Sequence, residues 1–365
     1  MATTPDRKAA VVPIVVVIAS LALIAAGVVV ATSVHHASRA GASEATRDQR
    51  EREATTSWDQ QASDAFHPLA TAVADLTART GTWLAGTLPT DAYQAALASD
   101  VPVILNGRNL VGGLPAFPYD RRANDMYWDA SLLYTELARV DVTLIDLQAG
   151  PLRDQEGLAA RRLGELADRV FHRGRALVLP FRHDAPAAGA AADPPDDVPS
   201  WTVEGLTAGP PLDTVPPAAS GTSQASRPQE PKPQWKDDVD RAGIPTLPAL
   251  TSAVDGTESA SAGAGLATQQ RNLADAYLSA AAALRDRPDP AGDREEGARL
   301  RLSLLVYAEA ARQAEAGTSA SDPTAAERLD AAGRRLLLIG DALWPPDLGG
   351  RNSGEPGDIL HDQGA

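Results

Sequence analysis

The chain of 365 residues contains no cysteine. That excludes disulfides, thiolate metal sites, cysteine nucleophiles and attachment to a membrane through a lipidated cysteine. Lysine is almost missing as well. Of 33 basic residues only Lys8, Lys232 and Lys236 are lysines, so arginine carries nearly all the positive charge. With Phe 4, Tyr 6 and Trp 6, aromatic residues are scarce, and a core must be built chiefly from Leu, Ala and Val, which suits close helix packing. There is no Gly-rich phosphate loop, no Gly-x-Ser-x-Gly elbow and no His-Glu-x-x-His. A net charge of −15 makes nucleic acid and anionic lipid surfaces poor partners.

Charge is also missing in one place. Between Lys8 and His35 no side chain is charged, and Ala10–Ala31 is almost wholly Val, Ile, Leu and Ala. At about 1.5 Å per residue this run reaches roughly 33 Å, enough for a hydrocarbon layer of about 30 Å. The expectation is a transmembrane signal anchor over 10–31, in contact with the lipid bilayer, after a short cytoplasmic tail over 1–9. Arg7 and Lys8 precede the span, whereas the first fixed positive charge beyond it is Arg39, which points to a cytoplasmic N-terminus and an extracytoplasmic domain. The rival reading is a cleavable signal peptide, against which stands an apolar run longer than the usual core of about 7–15 residues. Both place the body outside.

Beyond the span, Ser43–Ser57 is rich in Arg, Asp and Glu, and 32–57 reads as a charged helical stalk. Between Pro186 and Pro248 lie 13 of the 28 prolines, and a Ser/Ala/Gly-rich run follows. Proline at that density opposes helices and sheet ladders, so 184–264 reads as a disordered acidic insert. It carries twelve acids against Arg227, Lys232, Lys236 and Arg241. Two islands in it, Trp201–Leu206 and Trp235–Leu250, either dock on the folded part or are scattered apolar residues of a linker. The insert separates two halves of one helical bundle, 58–183 and 265–345, with a flexible tail over 346–365.

Periodicity supplies the helices. In Arg122–Gln148, Met126, Ala130, Leu133, Leu137, Val140, Leu144 and Leu147 alternate four- and three-residue steps, giving one apolar face. Ala62, Phe66, Leu69, Val73 and Leu76 repeat that spacing, with Pro68 as an expected kink or break. Further helices are expected over Leu152–Arg173, Leu266–Asp286, Asp293–Ala316 and Pro323–Leu343, the last capped by Asp322. Mixed three- and four-residue spacing in successive helices predicts an all-α, up-and-down bundle. One stretch departs from this: Val101–Leu105, Asn106-Gly107 and Arg108–Val111 carry a hairpin signal, the alternative being a packed loop.

Chemistry is thinly signalled. Asp64 with His67, and Asp168 with His172, stand one helical turn apart, but a metal needs more converging ligands than that. Glu136, Asp141 and Asp146 flank the apolar stripe, where solvated positions are expected. The sequence therefore names no catalytic, cofactor-binding or metal residue and no cofactor. Its leading reading is a non-enzymatic, membrane-tethered domain that binds or scaffolds a protein of the membrane or envelope. The alternatives are an envelope hydrolase or metal-handling protein with a site formed only in three dimensions, and a sensor ectodomain working through a membrane partner.

Overall fold

A computed structural model describes residues 11–178, 181, 239, 241–256, 263–285, 294–345 and 348, with no side-chain detail at 11–46, 263–264, 285 and 294–295. The chain divides into two units, Met1–Ser57 and Trp58–Ala365. Among the described residues the elements are helices and there is no strand, so the described part of the protein is all-α.

In the first unit the chain enters helix α1 (Val11–Leu84). Arg47 pairs with Glu51 at 3.0 Å and Gln49 donates to Glu53 at 2.9 Å. Pairs one turn apart support a helix with little apolar surface to bury. No helix among the described residues is long and apolar enough to cross a membrane. The side chains of the expected span, Ala10–Ala31, lie outside them, as does the tail over 1–9.

The second unit contains the rest of α1, then α2 (Thr90–Gly112), α3 (Arg121–Leu144), α4 (Pro151–Val178), α5 (Leu247–Asp255), α6 (Gly263–Arg285), α7 (Arg294–Ser319) and α8 (Pro323–Leu343). Two expectations about local structure meet the structure here. A break at Pro68 is excluded, since Pro68 sits inside α1, on its exposed side. The hairpin signal at Val101–Val111 belongs to helix α2, whose buried residues Tyr93, Leu97, Asp100, Ile104, Gly107 and Val111 keep helical spacing. Gly107 is there for proximity: a Cβ on it would stand 2.6 Å from the Leu69 Cβ, so glycine lets α2 press against α1.

The insert is corrected at its C-terminal end. Leu247, Leu250, Ala253 and Val254 form the buried face of α5, which packs on α6, α7 and α8. Pro248 lies in its first turn, where the missing N–H costs nothing, and Gly256 closes it in the left-handed conformation at φ 65°. Of the rest of the expected insert only 239, 241–246, 256 and the first two residues of α6, 263 and 264, are described, so the Trp201–Leu206 island and Trp235 lie outside the described residues; of the tail over 346–365 only 348 is described.

Two helices are enclosed on all sides. Every residue from Asp129 to Ala138 of α3 is buried, and so is every residue from Gly297 to Ala311 of α7. The α3 stripe from Met126 to Leu147 is buried as its periodicity requires, but the polar faces of these helices are buried too. Around α3 stand α2, α4 and α8; around α7 stand α4, α5, α6 and α8. All four phenylalanines gather at one end of the first half. Phe66 stacks on Phe171 at 4.0 Å between centroids, Phe117 meets Trp58 and Phe181, and Tyr127 bridges the group.

The two halves repeat one another. At one constant offset in numbering, α2 coincides with α6 at both ends, and α3 begins where α7 begins. At the same offset Leu132, Tyr134, Glu136, Ala138 and Arg139 of α3 match Leu305, Tyr307, Glu309, Ala311 and Arg312 of α7. Ala159, Arg161, Arg162, Leu163 and Asp168 of α4 match Ala332, Arg334, Arg335, Leu336 and Asp341 of α8. The short α5 packs on its half as the end of α1 packs on the other. The second unit is thus a four-helix element used twice.

Candidate functional site

Side-chain bonds follow the repeat. Tyr134 donates to Asp168, and Tyr307 donates to Asp341, each pair 34 residues apart. The arginines cross between halves: Arg162 of α4 reaches Glu309 of α7, while its counterpart Arg335 of α8 reaches Glu136 of α3. In an isologous contact residue i of one copy meets j of the other and the reverse, and these two ion pairs do that within one chain.

The two seams differ in how they close. At the α4–α7 seam Arg162 is 6% exposed and Glu309 fully buried, joined through Nε and Nη2 to both carboxylate oxygens at 2.8 Å. Arg312 stands 3.6 Å from the same carboxylate. Burial opposes the charge on Glu309, yet Arg162 and Arg312 outweigh it and hold the carboxyl below its usual range. Beside the pair, Gln313 Nε2 donates to Glu156 Oε2 at 2.8 Å, and burial pushes Glu156 up to about 8. Burial thus favours the neutral form of Glu156, in keeping with a site that already holds one buried carboxylate.

At the α3–α8 seam the same residue types meet less completely. Arg335 donates through Nε to Glu136 Oε1 at 2.7 Å, and Arg139 through Nη1 to that same oxygen at 2.5 Å. Glu136 Oε2 is buried without a hydrogen-bond partner among the described residues. The positions of Gln313 and Glu156 are held here by Val140 and Leu329. Over that apolar pair opens a groove of about 620 Å³, floored by Val140, Thr143, Leu329 and Ala332 and edged by Arg139, Arg328 and Arg335. Arg328 pairs with Asp146, and Glu327 is the one acid in the lining. Side chains of Arg139 and Arg335 are 32% and 14% exposed, against 17% and 6% for Arg312 and Arg162.

Behind the groove, burial and then the charge of Arg139 lower the pKa of Arg108, while Glu136 opposes them. Arginine keeps its proton regardless, so the lowering records burial first and the nearby Arg139 charge second.

The expectation that Glu136 and Asp141 are solvated is corrected: both are buried, because α3 is covered on every side, whereas Asp146 is exposed as expected. Asp141 accepts from Thr80 Oγ1 at 3.1 Å, Tyr93 hydroxyl donates to the Asp141 carbonyl at 3.3 Å, and burial pushes its carboxyl up to about 8. Asp129, also buried, is pushed up to about 8 by burial against the opposing pull of Arg299. These carboxyls lie inside the core, away from the groove lining.

The histidine pairs are not brought into a site. Asp64 accepts from Gln60 at 2.8 Å and His67 is exposed; Asp168 is held by Tyr134, and His172 is exposed beside Phe171. No group of three or more potential metal ligands occurs among the described residues. Sequence reasoning missed the groove, although the matched Glu-x-x-Arg of α3 and α7 and Arg-Arg-Leu of α4 and α8 were legible as a repeat. Comparison with protein-family models, curated proteins and solved structures found no match.

Proposed function

We propose that the chain is a membrane-tethered, extracytoplasmic helical domain, an up-and-down bundle, that binds a component of the membrane or cell envelope through the groove between α3 and α8. The tether rests on the uncharged run Ala10–Ala31 and the positive charges before it. One observation carries the binding role. The two seams of the duplicated element share their ion pairs, yet one is sealed by Gln313 and Glu156 while the other holds a groove of about 620 Å³ edged by three arginines. That size falls within the range of ligand sites, about 300–1,000 Å³, and an apolar floor with a few convergent polar groups is their common make-up.

A photo-crosslinking residue placed at Thr324, which is exposed on the groove edge, tests the role in cells expressing the full chain. Adducts at 324 and none at Gln94, which is exposed but not part of the groove lining, are expected, and equal labelling at both positions, or none at 324, would overturn the reading. Fusion of compartment-specific reporters after Ala365 tests the side of the membrane: activity of a cytoplasm-only reporter there would reverse the topology.

A further inference from the structure

We propose that the ligand of the α3–α8 groove is a small organic anion, an apolar body carrying a carboxylate or phosphate group; this rests on the binding role assigned to the groove above. The sealed seam shows what the arginines do when satisfied. Arg162 spends two donors on the two oxygens of one carboxylate, the bidentate geometry that a guanidinium fork favours. At the open seam Arg335 gives Glu136 only Nε, so its Nη1 and Nη2 make no hydrogen bond among the described residues. Arg139 uses only Nη1 and Arg328 only Nη1. Three guanidiniums, each paired to one acid (Glu136 or Asp146) but with donors to spare, thus line one groove against Glu327 as the single acid of the lining.

A chain of net charge −15 that gathers arginines in one concavity offers that concavity to negative charge. The floor adds the second half of the recognition. Val140, Leu329 and Ala332 are buried apolar side chains, and Thr143 turns its hydroxyl to the Arg139 carbonyl at 2.9 Å, leaving the floor without a free polar group of its own. A fully hydrated inorganic ion gains nothing from such a floor. An anion with an apolar body covers it while its oxygens take the free forks at the rim.

The probes are phenylpropionate, phenyl phosphate and the neutral phenylpropionamide, titrated calorimetrically into the detergent-purified full chain at fixed ionic strength. Saturable binding of both anions, at least tenfold weaker in Arg335→Gln and unchanged in Arg334→Gln, is expected; Arg334 is exposed next in sequence but absent from the lining. The amide should not bind. Equal binding of amide and anions, equal losses in the two variants, or no saturable binding of either anion would overturn the proposal. Crosslinking from Thr324 to a macromolecule with no anion binding would refute the ligand class and leave the binding role standing. Thermal melts of each variant establish that it is folded when titrated.

Discussion

The α4–α7 and α3–α8 seams start from the same residues and end as different objects. Both place an arginine of an outer helix on a glutamate of an enclosed helix, with a second arginine one turn further along. Where Gln313 and Glu156 fill the remaining space the seam is closed and its arginine uses both oxygens. Where Val140 and Leu329 stand instead, a groove remains and the arginines keep donors. An ion pair is therefore structural or available for recognition according to the two residues beside it. Its own chemistry does not decide.

The comparison breaks most readily at Arg162. Removing one partner of a buried pair strands the other charge, so Arg162→Ala should cost about 3–5 kcal/mol in denaturant unfolding. Replacing both members, Arg162→Met with Glu309→Leu, should recover part of that loss, because the stranded carboxylate is gone while Arg312 loses its own partner. If the double variant is as unstable as the single one, the seam depends on charge in a way the geometry does not show.

The core of the first half should be nearly as sensitive. Leu137 is fully buried in the enclosed stretch of α3, and Leu137→Ala should cost about 2–5 kcal/mol. A loss below about 1 kcal/mol would mean that α3 is not enclosed.

The buried acids give a pH signature. Asp129, Asp141 and Glu156 have folded-state values of about 8, above those of the unfolded chain, so folded protein retains protons that unfolded protein releases. Their contribution is fully present below about pH 4, and is lost as pH rises toward 8. Asp141→Asn should flatten the decline of stability with pH by up to about 1.4 kcal/mol per unit in that window. An unchanged slope would place the ionised carboxylate in contact with water.

The smallest effects belong to the groove rim. Arg328 and Asp146 are 45% and 36% exposed, and Arg328→Ala should cost under about 1 kcal/mol by thermal or chemical denaturation. A loss as large as that of Arg162→Ala would make the rim part of the scaffold.

Much of this fold was legible in residue spacing. The helix from Pro323 to Leu343 has the bounds its Asp-Pro start and apolar stripe require, and the Asp322 carboxylate accepts from the Ala325 N–H at 2.8 Å. Spacing failed where tertiary contacts overrode local signals. Asn106-Gly107 has the letters of a tight turn, but Gly107 serves a close helix crossing that only the position of Leu69 reveals. The α5 helix was obscured by surrounding Pro, Ser and Gly, although Leu247, Leu250 and Val254 already had helical spacing.

The polar residues were misread for a different reason. One apolar stripe implies one buried face, and an enclosed helix such as α3 buries the others as well, carrying Glu136 and Asp141 inside. The groove needed two facts a single stripe cannot supply: that α8 crosses α3, and that Val140 and Leu329 occupy the places held by Gln313 and Glu156 in the other half. The repeat itself was available, since Tyr134-x-Glu136 and Tyr307-x-Glu309 stand in matching helices.

The most direct test pairs one variant from each seam, Arg162→Gln and Arg335→Gln, and measures both the unfolding free energy and the affinity for phenylpropionate at one ionic strength. Arg162→Gln should lose several kcal/mol of stability, about 3–5, and in the population that remains folded bind the anion as the parent does. Arg335→Gln leaves Glu136 its bond from Arg139, so it should lose only about 1–2 kcal/mol of stability and at least tenfold in affinity. Equal stability losses with no difference in affinity would contradict the division of the duplicated element into a sealed seam and a recognising one.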